Sequence, residues 1–352
     1  TLIQMQPSRL RKQLIPECVT FREGKVFSVR DMNRTQTRLA RLGIFNAIGI
    51  DVVPDTVSNS NRLNVIVNCT FDTPLEATIE LNASSKSNSY IGPGALFGVT
   101  NRNIFGGGEQ LGVTLTGNYE WQSGKGRSSL FNSYEVGITA SLSVPRLLAP
   151  KFIKRRNRNL NWTRFSLNFD ILNRPHYFKM AQFNLSFSYD WQSSRYSSHT
   201  FTPFKITYTN LLKTTHAFDS ITGANPAIAL SFRSQYIPQL NYTYIYDRAF
   251  DRDNLFNWQI TAQEAGNVFW AIYRACGVKG EKRLFGTPFS QFVKAHTQVV
   301  YSRRLWGDNW LVNRVAIGAA HAYGNSSEVP YAEQFYVGGA NSIRAFTVRS
   351  LG

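Results

Sequence analysis

The side chains able to do covalent or metal chemistry are sparse in this sequence. His216, His296 and His321 lie far apart along the chain, and none has a serine or cysteine at a spacing that predicts a nucleophile with its base. A lone histidine in a strand is more often structural than a ligand. We therefore expect no catalytic residues, no metal site, no cofactor and no enzymatic activity.

The three cysteines also point to no reactive centre. Cys18, Cys69 and Cys276 show no metal-ligand spacing, and they cannot all pair with one another. In an oxidising compartment Cys18 could form a disulfide with Cys69, whereas buried or free thiols are the simpler alternative. The sequence leaves this pairing open.

The chain is strongly basic, with 39 lysines and arginines against 22 acidic residues and a formal net charge of +17. Such an excess is typical of nucleic-acid-binding proteins, but here the aromatic residues alternate along strands and no helix has a recognition face. Diffuse positive charge suits anionic lipid headgroups better. We therefore predict membrane lipid, and no nucleic acid, as a partner. The densest basic run, interpreted as a solvated loop, consists of Lys151, Lys154, Arg155, Arg156 and Arg158.

The elements that position these residues begin with a small α+β unit. From Ser28 to Leu42 apolar residues recur at helical spacing between arginines, and Gly43 follows as a helix stop. A second short helix is predicted over Pro7 to Ile15. Two strands, Ile44 to Val53 and Leu63 to Cys69, follow on either side of a turn-rich segment. The unit ends near residue 74, and no later segment shows a convincing helical pattern.

From residue 75 onward the sequence alternates with a period of two, which indicates β-strands. No apolar run approaches the roughly 18 residues of a membrane helix, so a membrane-spanning form of this chain must be a closed barrel. About eleven strands are predicted, several near the length that a tilted membrane strand requires. They are Leu75–Ala83, 91–99, Leu111–Trp121, Tyr134–Val144, Phe165–Ile171, Phe183–Trp191, 204–212, Leu240–Tyr246, 256–262, 291–301 and 311–320.

The alternation assigns residues to two faces of these strands. The alternative is a soluble sandwich, which would turn a face rich in lysine and glutamate to water. Here the polar positions hold mainly Ser, Thr, Asn and Gly, and aromatic residues gather at strand ends, as in Tyr119, Trp121, Tyr134, Tyr189 and Trp191. We therefore favour a membrane barrel. The predicted lipid-facing residues are Leu111, Val113, Leu115, Val136, Ile138, Leu142, Leu185 and Phe187, and the lumen-facing ones are Thr114, Glu120, Glu135, Asp170 and Asp190.

Loop lengths give the barrel a direction. The link Trp306 to Asn309 is short, whereas Lys213 to Pro238 and Ala271 to Ser290 are long and belong to the opposite rim. Long loops mark the outer side of such barrels. The final segment, Gly324 to Gly352, is thereby placed in an outer loop after about the eleventh strand.

That final segment carries a recognisable motif. Residues 335 to 346 read Phe-Tyr-Val-Gly-Gly-Ala-Asn-Ser-Ile-Arg-Ala-Phe. They resemble the loop motif of the BamA/TamA superfamily of outer-membrane assembly factors, in which the sixth outer loop folds back into the barrel. The matching residues are Gly338, Gly339, Asn341, Ser342, Arg344 and Phe346. Ala345 replaces the usual glycine, and in this respect the motif resembles that of the TamA-like lipoprotein (TamL) branch of Bacteroidota.

The N-terminal unit resembles a POTRA domain, the periplasmic module that precedes the barrel in this superfamily. The resemblance is carried by Gly24 to Ser28, Thr35, Arg38 with Leu39, and Leu42 to Phe45. It implies that residues 1–73 form a POTRA-like domain without its first strand. It also implies that residues 74–352 form a barrel of which about 11 of about 16 strands are present. The chain opens on Thr-Leu-Ile-Gln, without Met or a signal segment, so we expect an internal fragment or a processed product. The resemblance implies that about five C-terminal strands, including the closing one, are not in this sequence.

The resemblance implies an outer-membrane protein that inserts or exports client proteins through a barrel seam, with its N-terminal domain in the periplasm. Implied partners are unfolded outer-membrane or exported clients, outer-membrane lipid, and a periplasmic or inner-membrane accessory protein. The alternative is a two-partner-type secretion pore or a passive pore. The first strand would form one side of the seam through Leu75, Ala77, Ile79 and Leu81, and the POTRA-like edge strand would present Ile44, Phe45, Ile48, Ile50 and Val52. Arg344 is expected to anchor the returning loop inside the barrel through a carboxylate.

Overall fold

The computed structural model describes residue 3 and residues 10–55, 61–85, 90–122, 133–148, 161–224, 229, 232–284, 286–339, 343 and 345–346. Across these residues, no helix has both the length and the apolar character needed to cross a membrane. Strands account for most of the structure, as the alternation predicts.

The N-terminal unit consists of helices α1 (Leu14–Cys18) and α2 (Val29–Arg41) followed by the hairpin β1 (Phe45–Pro54) and β2 (Leu63–Phe71). The predicted α2 and both strands are confirmed, and Gly43 ends the helix at φ +67°. The core between helices and hairpin contains Leu14, Cys18, Leu39, Leu42 and Ile44.

The first helix differs from the prediction of Pro7 to Ile15, which is wrong in its bounds. Leu10 to Gln13 are not helical, Pro7 to Arg9 lie outside the described residues, and α1 begins only at Leu14. Proline fits an α-helix only in the first turn. Pro16 therefore requires the helix to begin just before it.

Eleven strands of the described chain form one antiparallel sheet in sequential order. They are β3 (Leu75–Ser85), β4 (Tyr90–Asn101), β5 (Gln110–Gln122), β6 (Ser133–Val144), β7 (Asn161–Arg174), β8 (Phe178–Gln192), β9 (Ser197–Thr214), β10 (Gln235–Ala249), β11 (Asn254–Ala265), β14 (Phe292–Trp306) and β15 (Asn309–Ala322). All eleven predicted strands are present. The sheet is open in the described residues, with β3 at one edge and β15 at the other.

The antiparallel order gives the sheet two rims. The N-terminal rim is the one at which β3 begins, and the short link Trp306 to Asn309 belongs to it. The distal rim carries the long links after β9 and β11, as predicted. The segment from Pro145 to Leu160 is an exception, because it is long and yet joins strands at the N-terminal rim. The predicted basic loop at 151–158 lies within it and outside the described residues.

The long distal links contain further short elements. Helix α3 (His216–Ala224) follows β9, and helix α4 (Asn267–Ala275) follows β11 and precedes the small hairpin β12 (Arg283–Leu284) and β13 (Thr287–Pro288). The expectation that helical pattern is confined to the N-terminal unit is therefore wrong. These two helices are only nine residues long, and their formation depends on packing against the sheet more than on local propensity.

Candidate functional site

The two faces of the large sheet differ sharply in chemistry. Strand pairing places Ile79, Phe97, Leu115, Ile138, Phe169, Phe183 and Tyr208 in one continuous row across seven strands. We call this side the apolar face. The adjacent row on the opposite side, the polar face, contains Thr78, Gly98, Thr114, Thr139, Asn168, Asn184 and Thr207. Every residue predicted to face lipid or lumen lies on the side that the alternation assigns to it.

The apolar face is uncovered over much of its extent. Ile79 is 75% exposed, Val136 is 56% exposed and Leu115 is 47% exposed. A soluble sandwich would bury this face against a second sheet, and no second large sheet exists in the described chain. Exposure of a contiguous apolar surface of this extent to water is unfavourable, and such a surface is typical of strands that contact the acyl chains of a lipid bilayer.

Aromatic side chains mark both rims of the apolar face. At the distal rim Tyr119 and Trp121 lie 5.9 Å apart between ring centroids. At the N-terminal rim the ring of Trp191 stacks on His199 with centroids 5.0 Å apart, and Tyr244 packs on the same histidine. Amphipathic rings at both ends of the strands are typical of the aromatic girdles with which membrane barrels contact the two lipid–water interfaces.

The polar face is cross-linked by side-chain amides and hydroxyls. Asn168 Nδ2 donates to Thr139 Oγ1 at 3.0 Å, and Asn184 Nδ2 donates to Asn168 Oδ1 at 2.9 Å. Nearer the N-terminal rim, Arg164 pairs with Asp190 at 3.3 Å. These bonds hold adjacent strands together on a surface that suits water or a polar chain segment.

The segment after β15 returns to the polar face, where the Glu333 side chain contacts two strands. Glu333 Oε2 pairs with Lys294 Nζ on β14 at 3.2 Å, and its Oε1 accepts from Gln239 Nε2 on β10 at 2.6 Å. The side chains of Lys294 and Glu333 are 17% and 16% exposed. Lys294 and Gln239 share the polar face with Thr261 and Gln263, so the segment lies on the predicted lumen side.

Phe335 strengthens this contact two residues later. Its ring lies 4.9 Å from Lys294 Nζ and 6.0 Å from the ring of His296. Gly318 on β15 leaves the space that the ring occupies, because a Cβ there would lie 2.4 Å from Phe335 Cζ. A glycine at this strand position therefore reflects the close approach of the loop.

The Gly-Gly motif forms a compact turn beyond this anchor. Gly338 and Gly339 have φ of +102° and +87°, values that disfavour any side chain, and Gly339 N donates to Phe346 O at 2.8 Å. Phe346 is 44% exposed. Asn341, Ser342 and Arg344 lie outside the described residues, so the predicted role of Arg344 as anchor stays a prediction. Sequence reasoning missed Glu333, whose only signal is an acid shortly before the motif.

The predicted seam residues lie on the edge strand β3. Leu75, Ile79 and Leu81 are 60%, 75% and 80% exposed, and β3 pairs on one side only, with β4, in the described sheet. An edge strand presents unpaired backbone donors and acceptors to another strand. Of the predicted N-terminal edge residues, Phe45, Ile48, Ile50 and Val52 lie on β1, which pairs with β2 alone in its described sheet. Ile44 precedes β1 and is buried in the core of the N-terminal unit. Ile48 packs from β1 onto the core of the N-terminal unit.

A junction between the N-terminal unit and the sheet was not predicted. Glu109, in the turn before β5, is 2% exposed and accepts from Gly107 N at 2.7 Å. Its Oε1 lies 3.2 Å from Arg11 and 3.6 Å from Arg146. Gln110 Nε2 also donates to Leu42 O at 3.1 Å, at the end of α2. The sequence signal was the glycine run followed by a single acid at 106–109.

The cysteines are free thiols in the structure. Cys18 is buried, Cys69 is partly buried and Cys276 is exposed. Burial raises the pKa of the Cys18 thiol to about 11 and also raises the pKa of Cys69. Within the described residues no group of three or more His, Cys, Asp or Glu could hold a metal ion.

Solved structures with a similar fold include three bacterial proteins. BamA from Haemophilus ducreyi lacking POTRA domains 1–3 matches with a TM-score of 0.59 and 12% identity, over 97% of this chain and 59% of that chain. The fold is that of part of the BamA barrel. CdiB from Acinetobacter baumannii matches with a TM-score of 0.55 and 12% identity, over 97% of this chain and 55% of that chain. CdiB from Escherichia coli matches with a TM-score of 0.55 and 14% identity, over 96% and 56%.

This chain therefore spans between 55% and 59% of the length of these structures. The TM-scores of 0.55 to 0.59 establish the fold, and the identities of 12–14% leave the activity open. No protein-family model matches the sequence, and no curated protein matches it.

Proposed function

We propose that the chain is part of an outer-membrane barrel that inserts or exports client proteins, without covalent chemistry or a cofactor. One observation carries the proposal: a chain segment anchored by Glu333 occupies the polar face of a BamA-type sheet whose apolar face is exposed. A passive pore would leave its polar face open to solutes. Here the protein's own loop covers part of the polar face, which favours a barrel that inserts or exports polypeptides over a permanently open pore.

The edge of β3 is the proposed site of client contact. Its backbone groups can pair with an extended client segment, and Ile79 and Leu81 can face lipid while the client is added. Such a step is exchange of hydrogen bonds between strands, so it needs no nucleophile.

The N-terminal unit is proposed as a POTRA-like domain in the periplasm. The usual POTRA order is one strand, two helices and two strands, and the two helices and two strands of this unit agree with the last four of these elements. The side of β1 that has no partner strand among the described residues is then available to a client or to a periplasmic or inner-membrane accessory protein by backbone pairing. Glu109 would hold this domain against the barrel rim. Assignment to the TamL branch stays a prediction that rests on Ala345 alone.

A second candidate is a two-partner-type secretion pore, since one fold supports several functions. In that case a client passes along the polar face and does not pair with the edge strand. The two candidates therefore differ in which surface of the sheet touches the client.

Site-specific photocrosslinking in cells distinguishes these functions. A photoreactive residue is placed at Ile79 on β3, at Leu115 in the same apolar row but on an interior strand, and at Thr139 on the polar face. The assembly function predicts client adducts at Ile79 and none at Leu115. Adducts confined to Thr139 would indicate a secretion pore, and no client adduct at any of the three would contradict both.

A further inference from the structure

Helix α4 lies against the outward side of the sheet at the distal rim. Tyr236 on β10 belongs to the apolar face, because it pairs with Tyr208 of the apolar row, and yet it is only 4% exposed. The ring of Phe269 covers it at 6.5 Å between centroids. Phe289 forms an isolated β-bridge with Tyr236, and its ring packs on those of Phe269 and Tyr273 with centroids 6.2 and 6.0 Å apart. The helix is therefore on the membrane side of the strands.

The neighbouring side of α4 is apolar and uncovered. Val268 and Ile272, one helical turn apart, are 57% and 53% exposed, and Ala271 and Ala275 beside them are exposed too. Val278, just after the helix, is 42% exposed. This ridge continues the apolar face and is not turned towards any described part of the chain.

Two cations lie against the indole ring of Trp270 beside this ridge, and of these Arg274 is exposed whereas Lys282 is only 8% exposed. The guanidinium carbon of Arg274 lies 5.0 Å from the centroid of Trp270, and Lys282 Nζ lies 5.3 Å from it. The backbone of Lys282 is fixed by Asn325, which accepts from its N–H at 2.7 Å and donates to its carbonyl at 2.9 Å. Two like charges held around one ring favour an anion beside them.

We propose that α4 and residues 276–282 form a lipid-binding element, in which the exposed Arg274 contacts the phosphate of an anionic lipid in the adjacent leaflet and the buried charge of Lys282 adds to the attraction. Val268, Ile272 and Val278 enter the acyl region below that headgroup. Trp270 then has the interfacial position that amphipathic rings prefer. A headgroup phosphate joined to acyl chains matches a cationic pair beside an apolar ridge, and a free phosphate would leave the ridge exposed. This inference rests on the proposed membrane location of the sheet.

Cys276, the residue after α4, gives a direct test because it is exposed. The full protein, with Cys69→Ser so that the label enters at Cys276, carries an environment-sensitive fluorophore. It is reconstituted in phosphatidylcholine vesicles with rising fractions of phosphatidylglycerol, together with nitroxide lipids labelled on the headgroup or the acyl chain. We expect quenching by the headgroup nitroxide, increasing with phosphatidylglycerol and weakened by salt.

Removing either cation should weaken the response to anionic lipid. The half effect, which is the mole fraction of phosphatidylglycerol that gives half of the maximal quenching, should rise roughly fivefold for the exposed Arg274→Ala. It should rise less for Lys282→Ala, because that cation is buried. Arg252→Ala, an exposed arginine in a turn of the N-terminal rim, is the matched control and should change nothing.

A second label at Val136→Cys on the apolar face separates the two proposals. If both labels escape quenching, the membrane location itself is wrong. If the Val136 label is quenched and the Cys276 label is not, or if free inorganic phosphate reproduces the whole effect without lipid, the lipid-binding element is overturned. An unchanged half effect in the two cation variants would also overturn it.

Discussion

Glu333→Ala should release the segment after β15 from the polar face. The substitution removes a contact of 3.2 Å to Lys294 and a hydrogen bond of 2.6 Å from Gln239. Removing one partner of a buried pair costs about 3–5 kcal/mol, and an exposed pair is worth about 0–1 kcal/mol. With 16–17% exposure of the paired side chains and a charged hydrogen bond also lost, we expect about 2–3 kcal/mol. That corresponds to roughly a 30- to 150-fold shift towards the undocked segment.

Hydrogen exchange of peptides covering residues 329–337 measures this shift, because amide exchange follows the opening equilibrium of the segment. Glu328→Ala is the matched control, since Glu328 is an exposed acid in the same segment. Exchange should accelerate by the stated factor in Glu333→Ala, while peptides of β14 stay protected. An unchanged rate in Glu333→Ala, or equal acceleration in Glu328→Ala, would show that the segment is held by other contacts.

Three further outcomes are expected. Arginine at Leu115, on the exposed apolar row, should cost about 2–4 kcal/mol in barrel stability and arginine at Thr114 much less; equal losses in a heat-modifiability assay would contradict the face assignment. Glu109→Gln should lower the stability of the N-terminal unit by about 1–3 kcal/mol, which is measured as faster hydrogen exchange over residues 29–42. Glu17 is an exposed acid of the same unit, and Glu17→Gln should leave this exchange rate unchanged. Since the pKa of Cys18 rises from 9.0 to about 11, the stability of this unit should be full below pH 9 and fall as pH rises towards 11. The urea midpoint for proteolysis of this unit at pH 8 and pH 10.5 tests this, and Cys18→Ala should reduce the difference to the part that Cys69 contributes.

Much of the fold follows from local sequence alone. The alternation of Leu111 to Trp121 assigns each side chain to a face, because successive strand residues point to opposite sides whatever the partner strand is. Helix α2 was equally readable from its spacing and from Gly43 at its end. Eleven strands and two chemically distinct faces were therefore predictable before any contact was known.

The anchor of the returning loop and the placement of the distal helices depended on tertiary structure. Glu333 meets a glutamine 94 residues earlier, and such a contact leaves no periodic trace in either segment. Helix α4 is short and marginal by itself, so its existence and its outward position depend on Tyr236 and Phe289 beneath it. The same holds for Glu109, which is buried only because the N-terminal unit folds back onto the rim. Periodicity determines which face a residue joins, and only the packed chain decides which distant group shares that face.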